Sequence, residues 1–217
     1  MDFPEPPAPS TDRRVRRSRA ALLSAAVKLV TERETTAIAV SDLADAADVS
    51  RRVVYQHFED KDSLLLEAAL DLARRAAVER QQRIPGTGPE AARAHVVDIG
   101  RHMAEHRAFY RTMLTGSCAY AFNRALCEVF APANRQIVHQ RYADQLAPAT
   151  ADDLTDFLTA GVAAIIHTWI IEAEEPLDPE DLADRLARLL PLVTGPGLPT
   201  PPTSPPPDDR QNRPKAQ

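Results

Sequence analysis

The chain has 217 residues, enough for one or two domains, and its 44% hydrophobic content supports an ordinary buried core. Leu and Ala dominate, only seven residues are glycine and alternating β-branched runs are scarce, which excludes a sheet protein and predicts an all-α fold. The formal net charge of −5 would speak against nucleic acid if spread evenly, but residues 13–57 hold nine Arg or Lys against five Asp or Glu, a net of +4, so the remainder sums to −9. A basic module on an acidic body is the electrostatic footprint of a DNA-binding protein.

In chain order, residues 1–11 form a proline-rich arm that cannot pack and is expected to be disordered. Its acidic, proline-rich composition is unlike a secretory leader. Thr11 or Asp12 opens the first helix, which runs to about Arg33 with Leu22, Leu23, Ala26, Leu29 and Val30 as its apolar stripe. Five arginines between positions 13 and 19 head it, where the helix dipole opposes cations. That placement favours an external anion, and Arg16 and Arg17 are the candidates for phosphate contact.

Two short helical patterns follow closely. Leu43, Ala44 and Ala47 repeat at helical spacing in one, and Val54 and Phe58 sit four apart in the other. Asp48 stands at the turn between them, where Asp tolerates the left-handed conformation, and Ser50 is the expected cap of the second helix. This is helix-turn-helix spacing, whose second helix can enter a DNA major groove. With Val54 and Phe58 inward, Arg51, Arg52, Tyr55 and Gln56 face out. Arg pairs bidentately with guanine and Gln with adenine, while Tyr55 and His57 suit phosphates. Asp60 caps the next helix, and Lys61 adds a cation beside its free amides. Spacing alone leaves a solvated amphipathic hairpin as the plain alternative.

The run LADAADVSRRVVYQHFEDKDSLL resembles the DNA-binding signature of tetracycline-repressor (TetR) family transcription regulators. Leu43, Ala44, Ala47, Val49, Ser50, Tyr55, His57, Phe58, Lys61 and Leu64 match that family's order and spacing. Asp48 stands in place of its usual glycine, Ala39 in place of a Ser/Thr cap (leaving Ser41 to cap the helix), and Val53 in place of a common phosphate-contacting Thr. The resemblance implies a three-helix DNA-binding domain over 12–60 and a helical ligand-binding and dimerisation domain over 61–195, about nine helices in all. It further implies a homodimeric repressor of a near-palindromic operator, released by a small ligand.

The fourth helix begins after Asp60 and runs through Leu64, Leu65, Ala68, Leu72 and Ala76 to near Arg83, ending at Ile84-Pro85-Gly86-Thr87-Gly88. A fifth spans Glu90–Glu105 with His95, Val96, Ile99 and Met103 inward, and a sixth about Ala108–Thr115. A seventh region, Cys118–Gln145, is bent or split at Pro132. Thr150 with Asp153 opens an eighth helix, apolar around much of its girth, that reaches about Ala173. Asp178 and Pro179 start a ninth, whose stripe of Leu182, Leu186, Leu189, Leu190 and Val193 stops at Gly195-Pro196. The tail over 196–217 is expected to be a disordered extension.

Helices eight and nine carry more apolar face than one small bundle needs, and the family dimerises through them. Phe157, Leu158, Gly161, Ile165, Leu182, Leu186 and Leu189 are therefore the expected interface; a buried central helix is the plain alternative. A pocket for a small apolar or aromatic ligand is expected among His102, Phe109, Tyr110, Met113, Tyr120, Phe122, Phe130 and Trp169, although such residues are usually core. His95, His102 and His106 share one helical face, but nothing completes a zinc set, so no metal or cofactor is expected. Cys118 and Cys127 fit a reducing compartment as small core residues. The longest apolar run, from Ala160 to Ile171, is broken by His167 and Thr168 and is too short for a bilayer, so a cytoplasmic protein without a membrane partner is expected. No nucleophile with its base, phosphate loop or paired catalytic carboxylates supports an enzyme. The competing class is a helical small-molecule-binding or interaction protein with weakened DNA binding.

Overall fold

The computed structural model describes residues 9–84, 89–142 and 145–194. Among them run α1 (Pro9–Arg33), α2 (Val40–Ala46), α3 (Arg51–His57), α4 (Lys61–Arg83), α5 (Pro89–Glu105), α6 (Arg107–Thr115), α7 (Ala119–Tyr142), α8 (Pro148–Glu172) and α9 (Pro179–Thr194), with no strand. Residues 1–8, 85–88, 143–144 and 195–217, and with them the expected disordered arm and tail, lie outside the described residues.

Helix α1 starts at Pro9, earlier than Thr11, because Pro favours a helix's first turn. Its stripe of Leu22, Leu23, Ala26, Leu29 and Val30 is buried against α2, α4 and α6. Leu22, Leu43, Val54, Leu64 and Leu65 meet in one core, each fully buried aliphatic contributing about 1.5–3 kcal/mol. Asp60 caps α4 as expected and does so in a reciprocal box: its carboxylate accepts from the Ser63 amide at 2.7 Å, while the Asp60 amide donates to Ser63 Oγ at 3.1 Å.

The body is α4–α9. Helix α7 packs along α8 and runs as one helix through Pro132 rather than splitting there. Asn134, just beyond it, donates to Thr159 Oγ1 at 3.0 Å in the buried seam. Helix α8 opens at Pro148 rather than Thr150, with Ala147 as a cap that makes no side-chain bond; Pro is favoured at the first position because its fixed φ suits the helix and its own missing amide would be unpaired there. By length and composition α8 is apolar enough to cross a bilayer, contrary to expectation, yet it packs on α6, α7 and α9. Its far end is closed by Arg107, whose guanidinium donates to the Ile170 and Ala173 carbonyls at 2.9 and 2.6 Å. Those acceptors have no partner inside the helix, so the arginine supplies it.

Helix α9 lies along α5. Leu182 and Leu186 are buried there, and Pro179 sits so close to Gly100 that a Cβ on the glycine would meet it at 3.1 Å. Asp178 accepts from the Glu180 amide at 2.9 Å, as its place before Pro179 predicts.

The DNA-proximal helices join the body at a small polar junction. The Thr36 carbonyl accepts from Lys61 Nζ at 2.8 Å, and Thr36 Oγ1 accepts from the Ser117 amide at 3.2 Å. Gly116 makes this approach possible: a Cβ there would lie 2.5 Å from Thr36 Oγ1 and 2.9 Å from the Thr112 carbonyl oxygen. Gly116→Ala should therefore lower the unfolding free energy by about 1–3 kcal/mol through overpacking, read as a fall in the urea midpoint. Gly100→Ala, whose nearest neighbours are Pro179 Cβ at 3.1 Å and Cα at 3.2 Å, should cost less.

Candidate nucleic-acid interface

The turn between α2 and α3 explains the aspartate at position 48. Asp48 has φ of +52°, the Val49 amide donates to the Ala44 carbonyl at 3.0 Å, and the Asp48 amide donates to the Asp45 carbonyl at 3.1 Å. This is the Schellman closure of a helix C-terminus, which requires a left-handed residue; Asp adopts that conformation where a branched side chain resists it. Neither short helix is capped as expected. Ala39 precedes α2 without a side-chain bond, and Ser41 sits inside the first turn, its hydroxyl against Asp42 at 3.4 Å. Ser50 does precede α3, but its hydroxyl makes no capping bond; its carbonyl instead receives the Val53 amide at 2.9 Å. Packing of Leu43, Ala44 and Val54 holds the helices in place of caps.

The outer surface of α3 presents Arg51, Arg52, Tyr55 and Gln56, all exposed, with Tyr55 at 59%. Val54 and Phe58 are buried beneath them and Val53 is half-buried. Arg16 and Arg17 are exposed on α1, next to Ser18, which meets α3 directly.

Two expected phosphate ligands are otherwise engaged. His57 Nε2 lies 2.8 Å from Ser18 Oγ, tying the end of α3 to α1. Burial, and then the nearby Arg19 charge, hold the imidazole pKa below its usual range. Lys61 is turned toward the Thr36 carbonyl and lies 3.2 Å from Asp62. Arg19, one of the five arginines at the head of α1, takes a structural role that the charge pattern did not suggest. Its guanidinium lies 5.0 Å from the Phe58 ring centroid and 3.2 Å from Glu67, clamping α3 and α4 to α1. Ser18 and Arg19 are 39 residues from their α3 partners, and no local pattern signals such pairs.

The remaining candidates scatter. Phe109, Tyr110, Met113, Phe122 and Trp169 are buried in the core, with Tyr110 stacked on Phe122 at 5.9 Å between ring centroids. His102 Nε2 meets the Tyr110 hydroxyl at 2.7 Å, and Phe130 is half-buried beside the cluster. Tyr120 is apart from them, 82% exposed. Two surface cavities, of about 530 and 210 Å³, are lined by none of these eight residues. Of the expected dimer residues, Phe157, Gly161 and Leu189 are exposed and Ile165 half-buried, whereas Leu158, Leu182 and Leu186 are buried within the chain's own packing. His106 terminates α5 rather than extending its face; its ring lies 4.9 Å from His102, and no three-residue metal-binding group occurs among the described residues.

Burial, then the charges of His106 and Arg80, drive the His102 pKa down to about 4, with Asp98 opposing. The neutral ring is thus favoured in the fold, while the unfolded chain takes up a proton below 6.5. Its contribution is full above pH 6.5 and is lost as pH falls toward 4. Urea midpoints at pH 7 and pH 5 should differ more for the wild type than for His102→Gln, which keeps a partner for Tyr110 without titrating.

Residues 22–68 match the family model described as bacterial regulatory proteins, tetR family, and residues 91–191 match that of a transcriptional regulator C-terminal region. No curated protein matches the chain. Among solved structures, a protein described as a TetR-family transcriptional regulator from Rhodococcus sp. shares the fold at TM-score 0.54 and 20% identity, over 82% of this chain and 98% of that one. The dihydroxyacetone kinase operon activator DhaS aligns at TM-score 0.47 and 16% identity, over 80% of this chain and 93% of that one. With its helix-turn-helix and its helical body each matched in order, the chain belongs to the TetR family and is a DNA-binding transcriptional regulator.

Proposed function

We propose that the protein is a cytoplasmic homodimeric repressor that binds a near-palindromic operator and is released by a small molecule. The observation that carries this is the division of α3 into a buried side, Val54 and Phe58, and an exposed side of Arg51, Arg52, Tyr55 and Gln56. Arg51, Arg52 and Gln56 are the base-reading candidates, and Tyr55, Arg16 and Arg17 the phosphate contacts. His57 and Lys61 act chiefly as struts that hold α3 at its angle. Residues 12–60 are the DNA-binding unit and 61–195 the regulatory one.

Support for the dimer comes from α8. Phe157 is 65% exposed, and Ala160, Gly161, Ala164 and Thr168 extend the same helix's exposed side in mostly small residues. Nothing within 4 Å would meet a Cβ on Gly161, so that face has room for another helix. A two-fold pairing there sets the recognition helices about 34–36 Å apart, one turn of duplex. Release requires a ligand that binds more tightly to the state unable to grip DNA.

Binding to the DNA flanking its own gene should weaken as salt rises, and Arg52→Ala with Tyr55→Ala should abolish it. Lys61→Met should lower stability while leaving the salt slope nearly unchanged; a slope reduced by about one would make Lys61 a phosphate ligand after all. Light scattering at micromolar concentration should give a dimer for the wild type and a monomer for Phe157→Asp. A monomeric wild type removes the paired-helix model.

A further inference from the structure

The larger cavity, about 530 Å³, lies where the end of α4 meets α5 and α9, away from both the recognition helix and the aromatic cluster. Its chemistry is uneven. Asp98 is 6% exposed, and Arg83 Nη2 stands 3.1 Å from each of its carboxylate oxygens. Arg101 reaches the same group at 3.7 Å, an ion-pair distance beyond hydrogen bonding. Half-buried Arg80 feels the same carboxylate, and burial makes its charge costlier. Three guanidiniums thus face one buried acid, a positive surplus confined to the Asp98 corner, since over the whole lining Arg83, Arg93 and Arg101 are balanced by Glu90, Asp98 and Glu180. Arg93, on the far wall, is by contrast matched by Glu180 at 2.7 Å and Asp184 at 2.9 Å. Ile84, Ala94 and Val97 add an apolar portion to the lining.

We propose that this groove binds a small organic carboxylate, its anion held between Arg83 and Arg101 and its short apolar tail against Ile84, Ala94 and Val97. A guanidinium carries five N–H donors in a planar fork that matches a carboxylate. Arg83 commits one nitrogen to Asp98, and Arg101 commits none to a hydrogen bond, so both retain donors for a second anion. Glu90 at the wall disfavours multiply charged anions, which favours a monocarboxylate over a phosphate ester. The site also suits control. Arg83 is the last residue of α4, whose first residue, Lys61, is bonded to Thr36. A carboxylate competing with Asp98 for Arg83 loosens one end of the helix that carries the DNA-binding unit. That last step alone rests on the ligand-release model above.

Calorimetric titration of the full chain with hexanoate tests the site. Saturable binding in the millimolar range is expected, weakened about tenfold by Arg101→Gln through loss of a charge-assisted hydrogen bond. Ala94→Trp, which fills the apolar side without touching a charge, should remove binding, and neutral hexanamide should not bind. The proposal is overturned if hexanoate does not bind, if neither variant changes its affinity, or if acetate or inorganic phosphate binds as well as hexanoate does. Hexanoate binding that follows this pattern but leaves operator affinity unchanged keeps the carboxylate site and removes the release step.

Discussion

The placement of the DNA-reading surface depends on a buried threonine. Thr36 is 6% exposed at the α1–α2 connection, and it must pair its polar atoms or forfeit their hydration. Lys61 from the first turn of α4 satisfies its carbonyl, and Ser117 from the α6–α7 turn meets its hydroxyl. Asp62 joins the set by accepting from Ser117 Oγ at 3.3 Å. Three elements distant in sequence are thereby fixed to one another by groups that are costly to leave unpaired. Apolar packing of α1 on α4 supplies bulk affinity between the units, but such packing tolerates sliding; directional bonds set the angle.

Around α3 the cations divide into two kinds. Arg19 and Lys61 serve the fold, one over Phe58 and beside Glu67, the other on the Thr36 carbonyl. Arg51 and Arg52 stand clear on the recognition helix. Basic composition attracts DNA as a whole, yet only a side chain with uncommitted donors can read a base edge. The same rule separates the arginines of the body, where Arg107 closes the end of α8 and Arg101 leaves its donors open.

Within the body, residues of similar character have different fates. Tyr110 and Phe122 stack in the core, while Tyr120, two positions before Phe122, points to solvent because residues two apart on a helix face about 200° apart. Helix α9 buries Leu182 and Leu186 on α5 and leaves the α8 surface around Phe157 as the open apolar one. The helical body thus combines a closed aromatic interior with a charged, open groove on its flank.

Local pattern determined a great deal about this protein. Helical periodicity gave the number and type of elements, and cap chemistry at Asp60 and Asp178 set two helix starts to the residue. The Leu43–Lys61 run identified the family, and burial of Val54 and Phe58 made the exposed side of α3 legible in advance. These features rest on interactions within a few residues of one another. Tertiary structure alone decided that His57 and Lys61 are tied to Ser18 and Thr36, that Pro132 rides inside a continuous helix, and that α9 covers α5. It also decided that Arg83 and Arg101 converge on Asp98. Each outcome depends on which helices lie side by side, and the pairing energy that settles it is spread over contacts many residues apart, beyond the reach of any local window.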